Sequence, residues 1–115
     1  MKLKALFSFA ALLAFVLGSF TNADAQQLKI KNGSSYDIEY IYVSSSTDSS
    51  WGDDRLGSGI LYSGGTTSTF LGGADYYDIK LIDEDGDECV MFEIWLDSKV
   101  TWNIENDELL ECMGY

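Results

Sequence analysis

Asp83, Asp85 and Asp87 alternate through the segment Asp83-Glu84-Asp85-Gly86-Asp87-Glu88. Alternate carboxylates on extended backbone can aim at one hard cation such as calcium. The segment is not an EF-hand loop: counted from Asp83, glycine stands fourth instead of sixth, and the twelfth residue is Ile94. No helical pattern flanks it either. The same residues read as a β-hairpin connection in which Asp85-Gly86 tolerates positive φ. The plain hairpin is the preferred reading, with weak calcium binding at Asp83, Asp85 and Asp87 as the alternative.

A second feature is Trp51-Gly52-Asp53-Asp54-Arg55-Leu56, a lone tryptophan inside a polar stretch. It is either an exposed aromatic anchor or a plug over the end of a sandwich. Its neighbours favour the plug, since Gly52 permits a tight turn, Asp53 or Asp54 can cap backbone N–H groups, and Leu56 re-enters the core. The third is the aromatic load: past residue 25 the chain holds three Trp, seven Tyr and two Phe, too many for so small a core to hide. Clustered at the surface, such residues make a binding face, because tyrosine offers rigid apolar area with a polar tip. Scattered, they mean only strand packing.

Other chemistries are closed. The chain has no histidine, which removes the commonest general base and metal ligand. A serine nucleophile finds no base and no Ser-x-x-Lys pair, and zinc or copper sites lack imidazole. A carboxylate pair for glycoside hydrolysis exists among the acids, but a domain this small gives little room for a cleft. No catalytic residue is assigned, and a small secreted enzyme ranks third among the readings. Asn32-Gly33-Ser34 matches a glycosylation sequon, which a simple turn already explains.

These residues need a scaffold. Lys2 and Lys4 precede an apolar run from Ala5 to about Gly18, followed by Ala23-Asp24-Ala25. That is the pattern of a secretory signal peptide over 1–25, leaving one domain over 26–115 that is secreted or periplasmic, without membrane insertion after cleavage. Loss of Lys2, Lys4 and Asp24 takes the formal charge from −12 to −13. So acidic a body excludes nucleic acid and anionic membranes as partners. Cys89 and Cys112 remain and, in an oxidising compartment, read as one disulfide that staples the C-terminal tail.

The dominant period is two. Leu28 and Ile30 alternate with Lys29 and Lys31, and Asn32-Gly33-Ser34-Ser35 gives a hairpin-type turn. Strands follow over Tyr36–Val43, Thr66–Leu71, Tyr76–Ile82, Cys89–Leu96 and Val100–Ile104, with a short apolar piece at Gly59–Tyr62. Val90, Phe92, Ile94 and Leu96 are expected on one face. The tail beyond Glu105 can make one helical turn. Gly-rich turns and regular spacing indicate an all-β fold, a small antiparallel β-sandwich of about six to eight strands. With no proline in the chain, Lys29, Lys31, Glu39, Lys80 and Lys99 are expected to guard edge strands. In Tyr36–Val43 a bulge near Tyr40 would bring Ile41 and Val43 into the core and turn Tyr40 and Tyr42 outward, within reach of the Trp51 loop. The alternative packs those tyrosines among neighbouring strands, with Trp51 over the sandwich end.

The order Tyr36-Asp37-Ile38, Ile41-Tyr42-Val43-Ser44, Trp51-Gly52-Asp53 with Leu56, Tyr77-Asp78-Ile79 and Asp85-Gly86-Asp87 resembles a group of small exported bacterial proteins. They carry a W-G-x-D-x-L-type loop, a Y-D-I or Y-D-L strand and an acidic turn. The resemblance spans roughly residues 28–96. It implies a signal peptide and a compact β-sandwich, and brings no reaction, cofactor or catalytic residue. The expected function is a non-enzymatic binding or structural module for a protein or polysaccharide, with Trp51, Tyr40 and Tyr42 as candidate contacts. The second reading is a calcium-dependent module.

Overall fold

The computed structural model describes residues 27–97 and 99–115; the leader expected over 1–25 lies outside them. Six strands are present: β1 (Gln27–Asn32), β2 (Ile38–Ser45), β3 (Thr66–Phe70), β4 (Asp75–Asp83), β5 (Glu88–Leu96) and β6 (Val100–Ile104), followed by helix α1 (Asn106–Cys112). They form two three-stranded sheets, ordered β3-β1-β6 and β2-β4-β5. One apolar cluster fills the space between them, taking Leu28 and Ile30 from β1, Ile38, Ile41 and Val43 from β2, Ile79 and Leu81 from β4, and Ile104 from β6. The fold is an all-β sandwich.

The first sheet is less regular than the sequence suggests. β1 pairs antiparallel with β3 but parallel with β6, Leu28 facing Val100 and Asn32 facing Ile104. β1 is therefore a central strand, and Lys29 and Lys31 point outward from its face instead of guarding an edge. Lys80 does the same on β4, the central strand of the other sheet.

The Asn32-Gly33 turn is not a hairpin. β1 and β2 belong to different sheets, so these residues turn the chain a corner from one layer to the other. Asn32 is fully buried. Its Nδ2 donates to the Tyr36 and Leu61 carbonyls at 2.7 and 3.1 Å, and its Oδ1 accepts from the Ser34 N–H and hydroxyl at 3.0 and 2.6 Å. Every polar atom of that amide is satisfied, as burial requires. Gly33 is needed for a steric reason: a Cβ there would lie 2.8 Å from the Ile104 carbonyl oxygen.

Hairpin turn chemistry does operate between β4 and β5. The Gly86 N–H donates to the Asp83 carbonyl at 3.0 Å, and Gly86 has φ of 85°. This four-residue turn closing on a left-handed glycine is the usual bulged hairpin connection.

The tail makes two turns of helix, not one. Asp107 and Glu108 sit in its first turn, where carboxylates offset the helix dipole. Leu109 is buried, and a Cys89–Cys112 disulfide, with Cα atoms 5.2 Å apart, ties the helix to the start of β5. Among the described residues no cysteine is free, and no helix is long and apolar enough to cross a membrane.

Candidate functional site

The two outer faces of the sandwich have opposite character. On the β3-β1-β6 sheet, Lys29 lies between Ser68 and Thr101, and Lys31 between Thr66 and Asn103. That face is polar apart from Phe70, which lies opposite Gln27 at the end of β3, the ordinary outcome for a sheet with one wet side. On the β2-β4-β5 sheet, Tyr40, Tyr42, Tyr76, Phe92 and Trp95 point outward.

Two bulges produce this. In β2 the register shifts between Ile38 and Tyr40, so Ile38 and Ile41, three apart, both reach the core, and Tyr40 and Tyr42 turn out. In β5 the register shifts opposite Tyr77–Ile79, and Glu93 takes φ of 56°. Its N–H donates to the buried Asp78 carboxylate at 3.0 Å, which pins the irregularity. Ile94 and Leu96 then face inward while Phe92, 60% exposed, faces outward. The expectation that Phe92 shares a face with Ile94 and Leu96 is corrected by this bulge.

Lys80 is the centre of the aromatic face. Its ammonium lies 5.2 Å from the Tyr42 ring centroid and 5.1 Å from that of Trp51, within cation–π range of both. Trp51 also meets Phe92 at 6.3 Å, so it reaches across Lys80 toward β5. Tyr40 and Tyr42 have parallel rings, 6° between planes and 6.3 Å between centroids. Tyr76 and Trp95 form a second pair, 4.8 Å apart. Partial burial, then the Asp54 carboxylate, raise the Tyr42 hydroxyl above its ordinary 10.0.

The loop that presents Trp51 is held against the free edge of β2. The Asp54 carboxylate accepts from the N–H groups of Ile41 and Leu56, each at 3.0 Å, and the Arg55 N–H donates to the Ile41 carbonyl at 2.6 Å. The Arg55 guanidinium donates to the Val43 carbonyl at 2.6 Å, and to the Thr69 hydroxyl and Phe70 carbonyl at 2.9 and 2.8 Å. It thereby ties the two sheets together along one side. Further along β2, Ile38 and Leu61 exchange backbone bonds at 2.9 Å. The edge is thus covered by chain, which removes its templating hazard without lysines or proline. Before the tryptophan, the Ser46 hydroxyl donates to Asp78 at 2.6 Å, so one buried carboxylate holds both this loop and the β5 bulge.

Beside Trp51, where β2 ends and β4 begins, lies an open cleft of about 410 Å³. Its walls include Trp51, Ser45, Asp48, Ser50, Asp53 and Asp75, with Tyr77 beneath. The Tyr77 hydroxyl donates to the Gly73 carbonyl at 2.7 Å, and burial followed by Asp75 raises it above 10.0. A separate apolar slot of about 240 Å³ opens between the sheets near Met91 and Trp102.

The acidic turn brings the carboxylates of Asp83, Asp85 and Asp87 within 4.8 Å of one another. Much of their capacity is used internally. Asp83 Oδ1 accepts the N–H groups of Asp85 and Asp87, both at 2.9 Å, and Asp87 Oδ2 accepts the Tyr115 hydroxyl at 2.6 Å. That bond raises the Tyr115 hydroxyl above 10.0. Glu84 is also engaged, accepting the Asp37 N–H at 2.8 Å.

The structure gathers Tyr42 and Trp51 around Lys80 with Tyr40 alongside, and sets Asp83, Asp85 and Asp87 on the β4–β5 turn. The sequence reading did not single out Lys80, Phe92 and Trp95 as site residues. Phe92 and Trp95 stand three apart, which period two assigns to opposite faces; only the bulge at Glu93 unites them.

No protein-family model and no curated protein matches the chain. The NMR structure of a protein from Eubacterium rectale is similar in fold, at a TM-score of 0.55 and 15% identity. The match covers 74% of this chain and 81% of that one.

Proposed function

We propose that the protein is an exported, non-enzymatic binding module whose ligand, a protein or a polysaccharide, contacts the outer face of the β2-β4-β5 sheet. The observation that carries this reading is the asymmetry between the two outer faces. Strand propensity alone favours aromatics on both, yet the β3-β1-β6 sheet carries Lys, Ser, Thr and Asn there, with Phe70 as a single exposed aromatic at the end of β3. On the other, Tyr40, Phe92, Tyr76 and Trp95 are 42–60% exposed. Exposed apolar clusters of this kind mark interaction surfaces. The −13 charge of the chain beyond residue 25 selects against polyanions. Export is supported by the leader pattern, the resemblance to small exported proteins, and the disulfide. Capture from the host envelope together with a glycan array tests the reading. Tyr40→Ala with Phe92→Ala is expected to abolish capture while leaving the melting temperature nearly unchanged; undiminished capture refutes it.

A second reading, calcium-dependent recognition, rests on the proximity of the Asp83, Asp85 and Asp87 carboxylates. Thermal melts decide it: a cation that binds only the folded state raises the melting temperature in millimolar calcium relative to EDTA. No shift leaves a hairpin whose Asp83 carboxylate serves its own turn.

A further inference from the structure

We infer that the cleft beside Trp51 is a saccharide subsite, continuous with the aromatic face and occupied by one sugar unit of a neutral or amino-sugar polymer. This rests on the reading of that face as a ligand surface and names the ligand's chemistry. The cleft volume, about 410 Å³, falls within the usual small-ligand range of about 300–1,000 Å³.

Its lining has a particular hydrogen-bonding character. Asp48 and Asp53 are acceptors, and Ser50 offers a hydroxyl of either sense; Asp75 adds a third carboxylate, already accepting the Ser45 hydroxyl at 2.9 Å and the Tyr76 N–H at 2.7 Å. The cationic side chain in the wall, Arg55, already donates to the Val43 and Phe70 carbonyls and to Thr69. The site is therefore rich in acceptors and poor in available charged donors. Its complement is a ligand that donates many hydrogen bonds and also presents an apolar face to an aromatic wall. A pyranose does both: equatorial hydroxyls donate at the ring edge while axial C–H groups form a flat apolar face.

Trp51 belongs to both the cleft and the outer face, since it lines the former and lies 5.1 Å from Lys80 on the latter. A polymer with one unit in the cleft therefore leaves it past Trp51 toward Tyr42 and Tyr40. An acidic sugar is excluded by the carboxylates, and a hydroxyl or amine is matched by them.

Isothermal titration of the folded protein with cellohexaose, mannohexaose and chitohexaose tests the inference, with a neutral hexapeptide as comparison. At least one hexasaccharide is expected to bind saturably. Asp48→Asn with Asp53→Asn, both at accessible positions, is expected to weaken it about tenfold through lost charged acceptors, and Trp51→Ala about three- to tenfold. Tyr62→Ala, on a distant exposed ring, is expected to leave it unchanged. Absence of saturable binding by all three sugars up to about 1 mM, binding indifferent to Asp48 and Asp53, or preference for the hexapeptide overturns the inference. Envelope capture that still depends on Tyr40 and Phe92 would then leave the parent reading standing; capture indifferent to both would remove it as well.

Discussion

Replacing Asn32 by alanine is expected to be among the most damaging single changes in the protein, although it removes only an amide. The magnitude follows from its four side-chain bonds. Two partners find another donor: the Leu61 carbonyl retains the Ile38 N–H at 2.9 Å, and the Tyr36 carbonyl can take the Ser34 hydroxyl, 3.1 Å away, once Oδ1 no longer accepts it. The Ser34 N–H keeps none, and Ser34 is 2% exposed. An orphaned buried donor costs about 1–3 kcal/mol, and each lost net bond about 0.5–1.5 kcal/mol. The void adds to this, for a total of about 3–5 kcal/mol. At the lower figure the melting temperature falls by roughly 12–24 °C for a domain of this size. Urea unfolding followed by tryptophan fluorescence measures the loss directly. Asn32→Asp supplies the control on mechanism. It keeps the shape but turns an oxygen toward the Tyr36 and Leu61 carbonyls. Burial raises such a carboxylate's folded pKa above its unfolded value of about 3.9. The folded state then binds the proton more tightly, so the deficit is full above the folded pKa and shrinks as pH falls toward about 4. A loss below about 1 kcal/mol in Asn32→Ala, or a deficit in Asn32→Asp independent of pH, refutes this account of the corner.

Three other outcomes are expected. The Cys89→Ser, Cys112→Ser double variant should lose about 3.5 kcal/mol, the chain-entropy worth of its loop, by urea unfolding; native protein should show no thiol labelling. Glu93→Gly should gain about 0.5–1 kcal/mol, because a side chain at φ of 56° is strained and glycine is not; a loss would mean that the Glu93 side chain stabilises the bulge. Phenolate absorbance should show Tyr42, Tyr77 and Tyr115 ionising above 10.0. Since the folded state then keeps protons that the unfolded state releases, stability is full below pH about 10 and falls as pH rises through the folded values. Stability rising in that range would contradict the assignment.

The period-two pattern made most strands readable, and the outward turn of Tyr40 and Tyr42 follows from apolar residues at Ile38, Ile41 and Val43 that no regular strand can bury together. Other features were not readable because their causes are distant in sequence. Asn-Gly followed by serines serves a hairpin or a corner equally well; the outcome depends on Leu61 and Ile104, far along the chain. The bulge that frees Phe92 depends on the Asp78 carboxylate, fifteen residues earlier. The lysines on β1 and β4 looked like edge guards because strand order is invisible in a period. The loop that does cover the β2 edge carries the W-G-x-D-x-L pattern, and its Asp and Arg find their roles only once β2 lies beside them.

The parallel pairing of β1 with β6 also dictates a sequence of events in time. For a chain synthesised or threaded N-terminus first, the β4–β5 hairpin can form early from neighbouring residues, and β2 can join it. The β3-β1-β6 sheet cannot be completed until Ile104 has emerged, because the strand at its centre needs the last strand of the chain as a partner. Closure of the core is thereby deferred until the last strand is available. Long-range closure of this kind slows folding.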